Sequence, residues 1–167
     1  LIPNAFRISE AEADAIIAYA KKNRAVVVWQ MAPGVSRDGS IDMGRTSEIV
    51  GMAIKLVNIE AYPGIITCAA DHALSEFCHP DELDQLEFGG GPSQNDDSSS
   101  GAVGPLFYVD VTEDDGVVVC GISKALGLPA FAYKKMGDWT SVFVGAPGIP
   151  PSLLRALGRM AGCHVFN

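Results

Sequence analysis

The stretch Ala25–Gly34, AVVVWQMAPG, constrains the fold of this chain more than any other. Five apolar residues run unbroken from Ala25 to Trp29, and Pro33-Gly34 follows as a turn. A short β-branched run bounded by turn formers reads as a strand buried on both faces. The segment ahead of it reads as an amphipathic helix. Ser9 and Glu12 have the spacing of a capping box, and Ala13, Ile16, Ile17 and Ala20 recur on one face. Lys21, Lys22 and Arg24 put cations at the end that favours them, with Asn23 as the expected C-terminal cap. Leu1–Phe6 reads as the end of a strand, so residues 1–30 form a strand–helix–strand unit. That unit predicts a parallel α/β sheet with Ala25–Trp29 near its centre. In such sheets ligands sit past the carboxyl ends of the strands, which directs attention to the loop Gln30–Ser36.

The remainder is read as further short elements. Ser36–Gly44 reads as a polar loop, Thr46–Gly51 as a short helix and Ala53–Glu60 as a half-exposed strand. Pro63-Gly64 marks a turn and Ile65–Ala70 a further strand. Residues 89–104, rich in Gly, Ser and Asp, read as a flexible polar loop too short to separate two domains. Leu106–Val111 and Val117–Gly121 read as strands, and Ala130–Lys134 with Trp139–Gly145 as a hairpin. Pro150-Pro151-Ser152 opens a last helix that Gly162 ends, followed by a short strand over Cys163–Phe166. The 167 residues suffice for one domain, 1–167, and the 48% apolar content supplies its core.

Charge and composition narrow the partners. A net charge of −8 argues against nucleic acid or an anionic membrane surface. No apolar run approaches the ~20 residues of a membrane span. Nothing in the sequence assigns a compartment. Cys68, Cys78, Cys120 and Cys163 show no Cys-x-x-Cys spacing and are expected to be reduced.

The carboxyl-terminal third carries a family resemblance. The segments Leu126–Ala132 (LGLPAFA), Trp139–Gly145 (WTSVFVG), Pro150–Leu157 (PPSLLRAL) and Ala161–Phe166 (AGCHVF) are similar to the glutamine-amidotransferase-like domain of β-galactosidases and related glycoside hydrolases. This domain is also called the β-galactosidase trimerisation domain. Leu1–Phe6 (LIPNAF), the first helix, the strand 25–29, Ala32-Pro33-Gly34 and Gly51-Met52 resemble its middle. The resemblance implies a flavodoxin-like, three-layer α/β sandwich with a mostly parallel sheet, a C-terminal hairpin and leading strands missing before Leu1. It implies a domain without catalysis of its own, serving oligomerisation or shaping a neighbouring carbohydrate-active site. A chain lacking those leading strands is expected to associate, through a sheet edge or the uncovered face.

The catalytic form of the superfamily places a nucleophilic cysteine on a strained turn after a central strand. Here that turn is Gln30-Met31-Ala32-Pro33-Gly34, with no Cys, Ser or Thr before Ser36. No catalytic residue and no cofactor are therefore assigned. Two readings stay open beside the accessory domain: a degenerate hydrolase, or a small-ligand module using Gln30, Met31, Gly34, Asp38 and Arg45. Cys68, Asp71, His72, Cys78 and His79 are zinc-type ligands, but their spacing matches no standard module; a loop packed on the core is expected. Cys120 reads as core, Cys163-His164 as a packed edge, and Asp96-Asp97 as solvated. Asp42 reads as a helix cap. Trp29, Tyr62, Tyr133 and Trp139 offer aromatic faces that suit a carbohydrate, but their place in or near strands reads rather as packing.

Overall fold

A computed structural model describes residues 1–59, 66–68, 74–77, 87–88 and 104–164. The elements are α1 (Glu10–Asn23), β1 (Val26–Gln30), β2 (Ser36–Arg37), β3 (Ser40–Ile41), α2 (Met43–Val50), β4 (Ile54–Ile59), β5 (Ile66–Thr67), β6 (Glu87–Phe88), β7 (Gly104–Val109), β8 (Val117–Ser123), β9 (Pro129–Lys135), β10 (Thr140–Val144) and α3 (Pro151–Met160). A 3-10 turn spans Ser75–Phe77.

The main sheet has the order β1-β10-β9-β8-β5-β6. Among its described strands, β1 and β10 pair in parallel and the other pairs are antiparallel. A β4–β7 ribbon and a β2–β3 hairpin, both antiparallel, complete the strands. This corrects the expectation of a flavodoxin-like sandwich with a mostly parallel sheet. The physical reason is connection length. A parallel crossover needs a dozen or more residues, whereas antiparallel strands need only a tight turn. Lys124–Leu128 and Met136–Trp139 are short links, so β8, β9 and β10 fold as a meander. Gly127 at φ 68° and Gly137 at φ 81° turn the two corners.

The strand–helix–strand unit is present in reduced form. Ile2 bridges Trp29 in parallel, with Ile2 N donating to Val28 O (2.8 Å) and Gln30 N to Ile2 O (3.1 Å). Between them α1 starts on the expected capping box: Ser9 Oγ accepts from Glu12 N, and Glu12 Oε2 accepts from Ser9 N at 2.9 Å. The C-cap is Arg24 in the left-handed region (φ 51°), one residue beyond the expected Asn23, whose amide instead donates to Tyr19 O. Ser9→Ala is expected to cost about 1 kcal/mol, the usual value of a lost N-cap, read as a lower urea midpoint. The Ser9 hydroxyl also donates to Glu12 Oε2 at 2.7 Å, and this bond first, with the Ser9 backbone N–H second, holds the Glu12 carboxyl below its ordinary 4.5. A lowered carboxyl pKa favours the fold above the unfolded value and loses that contribution as pH falls through the folded one. An NMR titration of Glu12 is therefore expected to show a midpoint below 4.5 in the protein and a rise toward it in Ser9→Ala.

The pleat of β1 and β10 divides the interior in two. Val27, Trp29 and Phe143 face one side with Ala13 and Ala20 of α1, Ile49 and Val50 of α2, and Ile54 of β4. Val28, Val142 and Val144 face the other side with Leu153 and Leu157 of α3. The β7 strand feeds both clusters, Phe107 the first and Leu106 the second. The buried Ser141 hydroxyl donates to Val50 O and ties the end of α2 to the sheet. Lys134 pairs with Asp114, whose other oxygen accepts from Ala53 N at 3.1 Å, joining β9 to the start of the ribbon.

Several expected elements shift. The expected strand Ala53–Glu60 falls on β4 (Ile54–Ile59), with residue 60 outside the described residues, Leu106–Val111 falls on β7, which runs Gly104–Val109, and the polar loop Ser36–Gly44 contains the β2–β3 hairpin. Ile65–Ala70 shortens to Ile66–Thr67 within its described part. Cys163 and His164 are not in a strand, and 165–167 lie outside the described residues. The Pro63-Gly64 turn and residues 89–103 of the expected flexible loop also lie outside them, while Gly104 opens β7.

Candidate functional site: a cleft beyond the end of β1

The five residues expected to bind a ligand divide into two groups. Gln30 and Met31 belong to the interior. Gln30 is 6% exposed, and its Nε2 donates to Ala146 O at 3.2 Å and to Pro147 O. Its amide thus fastens the end of β1 to the chain beyond β10. Met31, half-buried at φ 63°, donates its N–H to Val144 O at 2.8 Å and packs on the first core. Both side chains serve packing and main-chain satisfaction.

Gly34, Asp38 and Arg45 lie instead on a cleft. Its inner part, about 230 Å³, is lined by Ile8, Ser9, Glu10, Gly34, Ser36, Arg37, Arg45 and Glu48. A wider, shallower part of about 540 Å³ shares Ile8, Ser9, Ser36 and Arg37 and reaches Arg7, Asp38 and Gly39. Three backbone bonds build the walls: Gly34 N to Ala5 O (2.8 Å), Ser36 N to Phe6 O (2.9 Å) and Asp42 N to Val35 O (2.8 Å). Asp38 (φ 49°) and Gly39 (φ 81°) are the two positive-φ corners of the β2–β3 hairpin. This is the backbone that an Asp-Gly pair favours between two strands, and that dipeptide is the sequence signal for the hairpin. Gly34 (φ 70°) sits so close to α2 that an added Cβ would lie 2.6 Å from Ile49 Cδ1.

Arg45 is held by local structure. Asp42 caps α2 as expected, its Oδ1 accepting from Arg45 N at 2.9 Å. The Arg45 side chain is 16% exposed, and its Nη1 lies 3.4 Å from Glu48 Oε2, whose side chain is 72% exposed. Exposed pairs of this kind contribute about 0–1 kcal/mol. Arg45 Nη2 is buried in the cleft wall without a hydrogen-bond partner among the described residues. An unsatisfied buried donor costs about 1–3 kcal/mol, more when charged. Ser9, Ser36, Arg37, Arg7 and Glu10, which sequence reasoning missed, are brought here by the hairpin and by the entry into α1.

The remaining candidates fall elsewhere. Cys68 and Cys120 are buried and Cys163 is exposed. Burial first, and the neighbouring Cys68 second, push the Cys120 thiol up to about 12, which suits a core residue rather than a nucleophile. Asp71, His72, Cys78, His79, Asp96, Asp97 and Tyr62 lie outside the described residues. Among the described residues no group of three metal-ligating side chains converges. Trp29 and Trp139 are buried in the first core and Tyr133 is half-buried. Among the described residues no helix is long and apolar enough to cross a membrane. No family model, no curated protein and no solved structure matches the chain.

Proposed function

We propose that the chain is a non-catalytic domain of a glycoside hydrolase, similar in role to amidotransferase-like accessory domains, acting in assembly or in shaping the neighbouring carbohydrate-active site. The observation that carries the reading is the turn at the end of β1. Gln30 to Val35 include no Cys, Ser or Thr, and the one polar side chain, Gln30, is consumed by two main-chain carbonyls. The position where a nucleophile would stand is a joint between two parts of the chain. The mixed sheet departs from the flavodoxin-like frame of those domains, so support comes from this turn and from the local segments rather than from the sheet. The reading frame is expected to encode a glycosidase barrel on the same polypeptide. Deleting residues 1–167 from that enzyme is expected to dissociate its oligomer or slow its turnover of an aryl glycoside. Unchanged assembly and turnover, or glutamine hydrolysis by residues 1–167, would refute the proposal.

A further inference from the structure

The β4–β7 ribbon leaves an edge of the fold open. Asp110 N donates to Ala53 O at 2.8 Å, which sets the phase of the ladder. Ala53, Lys55, Val57 and Ile59 turn their main-chain groups toward β7, and Ile54, Leu56 and Asn58 turn theirs away. The outward groups of Ile54 are occupied by Ser47 of α2, whose Oγ accepts from Ile54 N at 2.9 Å and lies 3.2 Å from Ile54 O. The outward N–H and C=O groups of Leu56 and Asn58 meet no partner among the described residues. The far edge of β7 is different. Pro105 has no N–H to offer there, and Phe107 O lies 2.2 Å from where a Cβ on Gly145 would stand.

An apolar strand with open main-chain groups and no proline or bulge is a template for another strand. β4 reads Ile-Lys-Leu-Val-Asn-Ile in an unbroken register with β7. Leu56 packs on the first core and Val57 on the second, both half-buried. Lys55, the one charged residue of the strand, is held by Glu113 at 2.9 Å. The open positions are alternate residues, which makes the edge complementary to itself. A two-fold axis at Val57 sets Leu56 of one copy opposite Asn58 of the other, and the reverse. Each opposed pair exchanges two N–H···O=C bonds, so every open group on both chains is satisfied. Val57 meets Val57 of the other copy at the closer of the two antiparallel spacings, where β-branched pairs are favourable. The two Lys55 positions stand about 14 Å apart along the strands, beyond the ~8 Å screening length of physiological salt.

We infer that two copies of this chain pair antiparallel through β4 and make one continuous sheet, β7-β4-β4-β7. Two strands alone are marginal, and three or more give a sheet independent stability; the second copy supplies them. A contact of one strand is at the low end of interface sizes, under ~1,200 Å², so the dimer is weak, with a dissociation constant on the order of 10–100 µM. The inference stands on the ribbon and not on the accessory-domain reading, so the two fail separately.

The test is sedimentation of the purified protein from about 5 to 500 µM, with amide hydrogen exchange at both ends of that range. The protein is expected to pass from monomer to dimer, and the Leu56 and Asn58 amides to exchange about fivefold more slowly at the high end. Asn58→Pro, at an exposed position, removes an outward donor and keeps the bonds of β4 to β7. It is expected to weaken the dimer at least about tenfold, through two lost bonds per pair and a ring set against the other strand. If that variant does not fold, exchange in the wild type decides alone. A monomer throughout the range overturns the inference. So does a dimer whose Leu56 and Asn58 amides gain no protection, or one that folded Asn58→Pro leaves as tight. Full protection of both amides already at the low end also overturns it, because the edge is then covered within one chain.

Discussion

Trp29→Ala is expected to remove about 3–5 kcal/mol of stability, the range for emptying a buried large aromatic position. Trp29 is fully buried in β1, flanked by the bridge to Ile2 on one side and by Phe143 of β10 on the other. Against the ~5–15 kcal/mol of a typical domain, that loss takes about a fifth or more of the total. The informative comparison is Trp29→Phe. The indole N–H is buried with no partner among the described residues, so its removal relieves a desolvation cost of about 1–3 kcal/mol. The smaller ring forfeits packing of similar size, and the net change is expected to stay within about 1 kcal/mol. Urea unfolding of the three proteins gives the answer. An alanine variant within 1 kcal/mol of the wild type would mean that the first core does not depend on this ring.

Gly145→Ala is expected to be nearly as costly for a single added methyl, about 3 kcal/mol. Its Cβ would stand 2.2 Å from Phe107 O and 3.3 Å from Ala130 O. Both obstacles are main-chain atoms of β7 and β9, which cannot rotate aside as a side chain can. Gly145 N also donates to Ala130 O at 2.7 Å, so the strand end cannot retreat without losing a ladder bond. Inserting atoms into a closed core commonly costs about 1–3 kcal/mol, and backbone obstacles put this case at the upper end. A melting point lowered by about 6–12 °C is the expected readout, at about 2–4 °C per kcal/mol for a chain of this size. A variant melting with the wild type would show that the ribbon carrying Phe107 moves aside freely.

Local chemistry was legible in the sequence, and long-range pairing was not. Ser9 and Glu12, Asp42, Gly51 and Pro151 mark helix boundaries through contacts within four residues, which is why α1, α2 and α3 are found where their signals lie. The apolar run ending at Trp29 correctly announced a strand covered on both faces. Burial of both faces is common in parallel sheets but does not require them. Here one parallel neighbour sits among antiparallel strands, and the cover comes from α1 and α2 on one face and α3 on the other. The five-residue link Lys124–Leu128 carried the missed information, because it is too short for a crossover. At the cleft, Gly34, Asp38 and Arg45 were legible because they follow the end of β1. The tether of Gln30 was not legible because its partners, Ala146 and Pro147, lie far along the chain. Arg7 and Arg37 come together only through the pairing of Phe6 with Ser36, which no local pattern announces.

The Gln30 tether has a consequence for how the chain assembles. It joins residues 116 apart. The β8–β9–β10 meander closes through short turns and loses little chain entropy in forming. Docking β1 on β10 closes a loop of about two thirds of the polypeptide, the largest such closure among the described pairs of the main sheet. The parallel edge is therefore the entropically dearest step, favoured once the meander already presents β10 as a template. The two amide bonds of Gln30 then act as a latch at the far end of that seam, holding the first thirty residues to the last quarter of the chain.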